Sequence, residues 1–285
     1  MTDVIGVLER AGDPLVVLTE RGERVQVSRE QVVAIKELSA IPIRTSEIRA
    51  LEHAASDGWP GLEQEWIDGW ILKAGNGFTG RANSAAPLGA GAGDRSLDAI
   101  RAWYDTRGLT PRLLLPDRLG VVPPGWESQQ DVIVMTSDIT GAVASHTLSI
   151  RVSPLPDAEW LGAYHYHGDP MPDVGLPVLV AVRDGVVGFI RSSDETTTLA
   201  VARAAVTTAT DERRWVGLTA VEVSPGHRRR GLGTGVCAAA LDWGREQGAT
   251  HAYLQVESSN AAAVAMYRQM GFGEHHRYRY ATPLG

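Results

Sequence analysis

The chain has 285 residues, with 27 Lys+Arg against 34 Asp+Glu, a formal charge of −7 and a pI near 5.6. That balance excludes a polybasic surface able to hold nucleic acid or an anionic membrane by bulk attraction, so any attraction for an anionic ligand has to be local. The single cysteine, Cys237, excludes an intrachain disulfide and a cysteine zinc cluster. The length has room for two or three domains.

Met1 to Arg10 holds no apolar run long enough for a signal peptide, and no stretch approaches the ~20 apolar residues a spanning helix needs. The expected compartment is the cytoplasm, with no membrane partner. Four short β-like bursts follow one another at Val4–Leu8, Leu15–Thr19, Arg24–Val27 and Val32–Ile35, separated by Gly12-Asp13-Pro14 and Arg21-Gly22. They predict a small barrel over residues 1–44, similar to the Src-homology-3-like domains, with an open edge that needs cover. Leu38 to Arg44 carries Pro42 and reads as a linker. Thr45 or Ser46 then caps a helix running to about Ser56.

From Trp59 onward one order of elements occurs twice. In the first copy a strand, Ile71 to Ala86, ends at Pro87. A Gly-rich loop, a helix from about Ser96 to Arg107, a strand Arg112–Leu115 and a strand Val132–Thr136 follow. In the second copy a strand, Trp215 to Val223, ends at Pro225. An Arg/Gly-rich loop, a helix from about Gly233 to Gln247, a strand His251–Val256, a helix Asn260–Met270 and a last strand through Tyr278 follow. The pattern predicts a duplicated α+β chain, with an eroded lobe over 45–150 and an intact one over 151–285.

The chemistry concentrates in the second copy. Pro225 stops the strand ladder. Beyond it Gly231 and Gly233 let backbone approach a ligand closely, and the helix start aims several N–H groups at one point. Arg228, Arg229 and Arg230 add mobile positive charge, and Leu232 and Thr234 complete the turn. The result is an anion cradle suited to a pyrophosphate. A Walker A loop needs a lysine that is absent here, and a dinucleotide fingerprint needs a different glycine spacing with an acid where Gln255 stands. A tight connection with a solvated arginine run is the alternative reading of the turn alone. Further on, Asn260 and Tyr267 are two helical turns apart and share a face, with Ala263 between them leaving room for a narrow ligand arm. Asn260 offers an amide to that arm. Gly271 ends the helix and Phe272 returns to the core.

Arg228, Gly231 and Gly233 resemble the [Q/R]-x-x-G-x-[G/A] loop of the GNAT superfamily of N-acetyltransferases. Asn260, Ala263, Tyr267, Gly271 and Phe272 resemble its N-x-x-A-x-x-x-Y-x-x-x-G-F helix. The resemblance covers about residues 150 to 285. It implies a mixed central sheet flanked by helices, with two splayed central strands and acetyl-CoA as cosubstrate between them. By the same resemblance, main chain at Val221 and Val223 would pair with the pantetheine arm, Asn260 would steady it, and Tyr267 would protonate the departing thiolate. Direct attack by an amine, on a small molecule or on a peptide or protein, needs no acyl-enzyme, so Cys237 in its apolar helical run reads as core packing.

The base that takes the amine proton is open. Glu222 is the only acid on the strand before the cradle, with a solvent-facing acid as its alternative reading, and Glu257 is a second choice whose alternative is a helix-start acid. Trp160, Tyr164, His165, Tyr166 and His167 form an aromatic cluster. With His275 and His276 it suggests pocket-wall or surface histidines rather than a metal site, because no H-E-x-x-H pair is present. Trp66-Ile-Asp-Gly-Trp70 and Gly80-Arg-Ala-Asn-Ser84 look like the opening of actinobacterial two-lobed GNAT proteins, and the two tryptophans read as core. The loop Leu88 to Arg95 lacks the arginine-first pattern, so an eroded first lobe would support the second or line its acceptor cleft. Two other classes fit the chain less well. An acyl-CoA-binding adaptor without turnover is disfavoured by Tyr267, and a nucleic-acid binder is disfavoured by the acidic chain. Neither the acceptor nor the oligomeric state is written in the residues.

Overall fold

The structure, a computed structural model, describes residues 4–19, 22–33, 35, 43–141, 148–166, 168–194 and 197–284. The chain divides into two compact units, Met1–Pro42 and Ile43–Gly285. In the first, β1 (Gly6–Arg10), β2 (Leu15–Thr19) and β3 (Arg24–Val27) form an antiparallel sheet in that order. The expected strand at Val32–Ile35 is corrected: Val32, Val33 and Ile35 are not in a strand, and Ala34 lies outside the described residues. The cause is local. The Gln31 side chain accepts from the Ser28 N–H at 3.2 Å and the Gln31 N–H bonds the Ser28 carbonyl at 2.9 Å, which curls the chain into a tight turn after β3. The first strand also starts two residues later than expected.

The second unit opens with α1 (Thr45–Gly58), whose Ile48, Leu51 and Ala55 recur at helical spacing and are buried. The helix extends two residues past the expected Ser56. The Arg44 N–H takes the Glu47 carboxylate at 2.7 Å, so Arg44 stands at the cap rather than Thr45 or Ser46. Then come β4 (Glu63–Ile67), β5 (Trp70–Ala74), β6 (Ala85–Ala86), α2 (Leu97–Asp105), β7 (Leu113–Pro116) and β8 (Trp126–Asp138). The strand expected over Ile71–Ala86 is thus two strands joined by a loop. After them come β9 (Ile150–Ser153), α3 (Ala158–Ala163), the small hairpin β10 (His165–Tyr166) and β11 (Asp169–Pro170), α4 (Gly175–Val180), β12 (Val186–Ser193), β13 (Thr198–Thr208) and β14 (Arg214–Val223). The unit closes with α5 (Leu232–Glu246), β15 (His251–Glu257), α6 (Ala261–Gln269) and β16 (Gly273–Pro283).

Among the described residues one eleven-stranded mixed sheet runs β4-β5-β6-β7-β16-β8-β15-β14-β13-β12-β9. It is continuous across residue 150, where the sequence places a lobe boundary. The two lobes exchange their last strands. β8, which ends the first copy, pairs with β15 of the second, while β16, which ends the second, pairs with β7 of the first. β8 and β16 pair with each other at the centre. The segments on either side of residue 150 therefore complete each other's part of the sheet.

One face of the second copy buries Leu218, Val236, Cys237, Leu254, Val264 and Tyr267 under α5 and α6. The opposite central face buries Leu51, Ala54, Trp215, Tyr253 and Tyr278 under α1. Trp70 lies in the core as expected, whereas Trp66 is exposed and stacks on His53 at 5.6 Å, a correction to its reading as core. His276 is corrected too, because it is buried rather than at the surface or a pocket wall, while His275 is partly exposed. His276 is 4% exposed, its Nε2 lies 2.9 Å from Glu52 on α1, and its Nδ1 lies 2.8 Å from His275 Nδ1. The assignment that satisfies this chain has His276 Nε2–H donating to Glu52 and His275 Nδ1–H donating to His276.

Burial, then His276 and the charges of Arg213 and Arg118, press the His275 imidazole down to about 3. An unfolded chain takes up that proton below about pH 6.5 while the folded one resists it. The stability this gives is complete above about pH 6.5 and is lost as the pH falls toward the folded value. The urea midpoint is therefore expected to drop between about pH 7 and about pH 5, and His275→Gln is expected to flatten that slope. A wild-type midpoint unchanged over this range would contradict the assignment.

Candidate functional site

β14 and β15 run parallel, with Trp215 opposite His251 and Leu218 opposite Leu254, and there the ladder ends. Both strands continue, to Val223 and Glu257, without pairing with each other. The reason lies on the other edge of β14. Its register against β13 shifts between Val201 and Arg203, and the extra residue falls at Ala220, which sits at φ 50°. A bulge of this kind bends its strand and sharpens the local twist, turning the end of β14 away from β15. The Ser224 N–H bonds the Leu199 carbonyl at 3.0 Å on β13, so strand alternation turns the main-chain groups of Val223 and Val221 toward the open side. Arg228 Nε reaches back to the Val223 carbonyl at 3.3 Å, in keeping with that direction.

At the end of β14, Ser224 Oγ anchors to the Thr198 carbonyl at 2.7 Å, and Pro225–His227 makes a short turn. Arg228, Arg229 and Arg230 follow, all exposed and without an ion-pair partner among the described residues. Gly231 precedes α5 at φ 77°, a left-handed conformation that costs a glycine little. The helix begins at Leu232 with no side chain capping it. The N–H groups of Leu232, Gly233 and Thr234 therefore point outward at a positive helix end. A Cβ on Gly233 would stand 3.1 Å from Met266 Sδ, so the glycine also lets α6 pack close against the cradle.

Asn260 caps α6: its Oδ1 accepts the Ala263 N–H at 3.1 Å, which leaves its Nδ2 free to donate elsewhere. Ala263 is half-buried on the same face. Tyr267 is 7% exposed and stands edge-on to Phe272 at 6.0 Å. Its hydroxyl makes no hydrogen bond to any described residue. Burial, with a smaller push from Cys237, drives its phenol well above the ordinary value, so the proton stays in place at neutral pH. Burial likewise raises the Cys237 thiol to about 12 and keeps it protonated.

Glu222 is a partly buried acid, its side chain 18% exposed, rather than a fully solvent-facing one. Its Oε2 accepts the His165 N–H at 2.7 Å and its Oε1 lies 3.2 Å from His165 Nδ1, which pins the β10–β11 hairpin to the last turn of β14. Glu257, at the far end of β15, is exposed. The aromatic cluster is split in its duties. Trp160 is core, with Nε1 donating to the Ile190 carbonyl at 3.1 Å, and Tyr164 packs on it at 5.4 Å. Tyr166 meets Phe78 of the first lobe at 4.8 Å, and His167 lies outside the described residues.

The sequence reading missed Arg203 and left Arg81 without a role. Arg203 interrupts an otherwise apolar run on β13, Leu199 to Val206, and a charge at such a place is the signal that marks it. Arg81 stands in the Gly80–Ser84 segment, and its Nη1 donates to Gln255 on β15 at 3.1 Å.

Comparison with known proteins follows the same division of the chain. Residues 45–281 match the family described as "Probable histone acetyltransferase Rv0428c C-terminal", and residues 1–36 match the "Rv0428c N-terminal Sm-like domain". A Mycobacterium tuberculosis protein named "Probable histone acetyltransferase Rv0428c" is 39% identical over 98% of this chain and 88% of its own length. The "Uncharacterized N-acetyltransferase YobR" of Bacillus subtilis is 26% identical over 81% of this chain and 97% of its own length. A solved GCN5-related N-acetyltransferase from Kribbella flavida superposes with a TM-score of 0.59 over 85% of this chain and 97% of its own, at 17% identity, a likeness of fold. No helix among the described residues is long and apolar enough to cross a membrane.

Proposed function

This chain belongs to the Rv0428c family of GNAT acetyltransferases, and from that premise we propose that it moves an acetyl group from acetyl-CoA to a primary amine by direct attack. The observation that carries the reading is the parted end of β14 and β15, with the cradle above it. The open main chain at Val221 and Val223 suits a pantetheine arm lying as an added strand. The N–H groups of Leu232, Gly233 and Thr234, with Arg228, Arg229 and Arg230 and the left-handed Gly231, suit a pyrophosphate. Asn260 has an amide N–H to offer the arm, and Ala263 leaves the space for it.

Within that arrangement the amine nitrogen bonds to the acetyl carbon, the carbon–sulfur bond breaks, and the departing thiolate takes the Tyr267 proton. The Tyr267 phenol is protonated at neutral pH and bonds to no described residue, so its proton is available to the sulfur. Glu222, its oxygens held by His165, is the group we assign to receive the ammonium proton. The lobe over 45–150 binds no second acetyl-CoA in this reading. Its β6–β7 ladder has a single rung, at Ala85 and Leu113, and its loop lacks the arginines. The reaction is placed in the cytoplasm, and the acceptor is an amine on a small molecule or a peptide.

Release of free thiol from acetyl-CoA, followed across a panel of amines and peptides, tests this reading. Acceptor-dependent thiol release is the expected result. Absence of acetyl-CoA binding by calorimetry, together with no release on any acceptor, would overturn it.

A further inference from the structure

Arg81 belongs to a loop that is built to hold its place. Asn83 is 6% exposed; its Oδ1 accepts the N–H groups of Gly75 at 2.8 Å and Gly77 at 3.0 Å, and its Nδ2 donates to the carbonyls of Phe78 and Thr79, both at 2.8 Å. Trp59 Nε1 donates to Thr79 Oγ1 at 3.0 Å, tying the same loop to the end of α1. The fixed loop sets the Arg81 guanidinium 5.3 Å from the Trp59 ring, with Nη1 on Gln255. Gln255 is the first residue of β15 beyond its last rung with β14. A residue of the first lobe is thereby delivered to the mouth of the parted strands of the second.

The neighbouring cation is committed to the fold, and Arg81 is not. Arg203, 4.6 Å from the same Trp59 ring, is 0% exposed and donates to the carbonyls of Leu179, Ala181 and Gly58 and to the Thr219 hydroxyl. A guanidinium has five N–H donors. Arg81 uses one, is half-buried, and has no carboxylate within ion-pair distance among the described residues. A partly buried positive charge without a counter-ion is costly to keep unless an anion visits it. The Trp59 ring forms an aromatic wall beside it.

We propose that Arg81 binds a carboxylate of the acceptor, so that the substrate class is a small amine carrying its own carboxylate, such as an amino acid or a close relative. A lysine on a protein surface brings no carboxylate of its own alongside its amine, and a planar carboxylate is the partner that matches a guanidinium fork. The inference rests on the acetyltransferase reading above and narrows its acceptor.

The test compares acetylation of amino acids with acetylation of their carboxamides, in the wild-type chain and in Arg81→Ala, Arg81→Gln and Arg81→Lys. The wild type is expected to favour the acid of each pair by about tenfold or more in kcat/KM, the scale of one charged hydrogen-bonded pair. In Arg81→Ala and Arg81→Gln that preference is expected to collapse toward unity through KM, while Arg81→Lys keeps part of it. Acetyl-CoA affinity, read by calorimetry, and thermal unfolding confirm that each variant is folded. A wild type indifferent to the carboxylate, or a preference that survives in both Arg81→Ala and Arg81→Gln, overturns the inference and leaves the acetyltransferase reading standing. Failure of acetyl-CoA to bind the wild type overturns that reading, and the inference with it.

Discussion

Replacing Tyr267 by phenylalanine is expected to lower kcat for amine acetylation by about 10²–10⁴-fold, the usual worth of a positioned proton donor. The substitution removes one oxygen that bonds to no described residue, and the ring keeps its contact with Phe272. Stability and acetyl-CoA affinity should therefore change little. The loss belongs in kcat, because the proton is needed only as the carbon–sulfur bond breaks. Leaving groups test the assignment further. A more acidic thiol needs the proton less, so an acetyl donor of that kind should recover part of the lost rate in the variant. A variant with wild-type kcat would remove Tyr267 from the chemistry.

Arg203→Ala is expected to cost about 3–5 kcal/mol of folding stability. Arg203 is 0% exposed, and its guanidinium donates to Leu179 O and Ala181 O, each at 2.7 Å, to Gly58 O at 3.0 Å and to Thr219 Oγ1 at 3.4 Å. One side chain thus ties the ends of α1 and α4 to β14 beside the bulge. Without it three carbonyls lose their donor in the interior, each at a cost of about 1–3 kcal/mol, offset in part by relaxation or entering water. Burial lowers the Arg203 pKa to about 9, so the cation persists at neutral pH and the bonds keep their charge-assisted character. Lysine should rescue poorly, because a single ammonium cannot span the three carbonyls that a planar fork reaches. Urea unfolding measures the loss, and a difference under about 1 kcal/mol would show that these bonds do not carry the junction.

The second copy was legible because its signals are local. Pro225, the glycines at 231 and 233, and the Asn260–Tyr267 spacing each impose a conformation on their own neighbourhood, and α5, β15 and α6 lie within two residues of the expected bounds. The strand exchange was not legible, since periodicity tells that β8 and β16 are strands and says nothing about which partner each takes. β4 escaped notice because Glu63-Gln-Glu-Trp-Ile is a polar edge strand without apolar alternation. The orientation of Glu222 could not be read by counting. The bulge at Ala220 resets the alternation, so that Leu218, Val221 and Val223 pack toward α5 while Glu222 turns to the opposite face and His165. Arg81 and Gln255 meet across 174 residues of sequence, a distance over which no local pattern speaks.

The expected two-lobed order acquires a physical meaning from the same contacts. The first copy lacks the arginine loop and the Asn–Tyr helix, yet it contributes a strand to the second copy's sheet and Arg81 to the mouth of its parted strands. On our reading, the lobe over 45–150 completes the sheet of the other and selects its acceptor.

The central claim is the place of acetyl-CoA, and a crystal structure of the chain with that cosubstrate tests it most directly. The account predicts the pyrophosphate on the N–H groups of Leu232 to Thr234, the pantetheine arm along Val221 and Val223, and the thioester sulfur within hydrogen-bond reach of the Tyr267 hydroxyl. Acetyl-CoA found in the first lobe, or on the second with its sulfur remote from Tyr267, would contradict it.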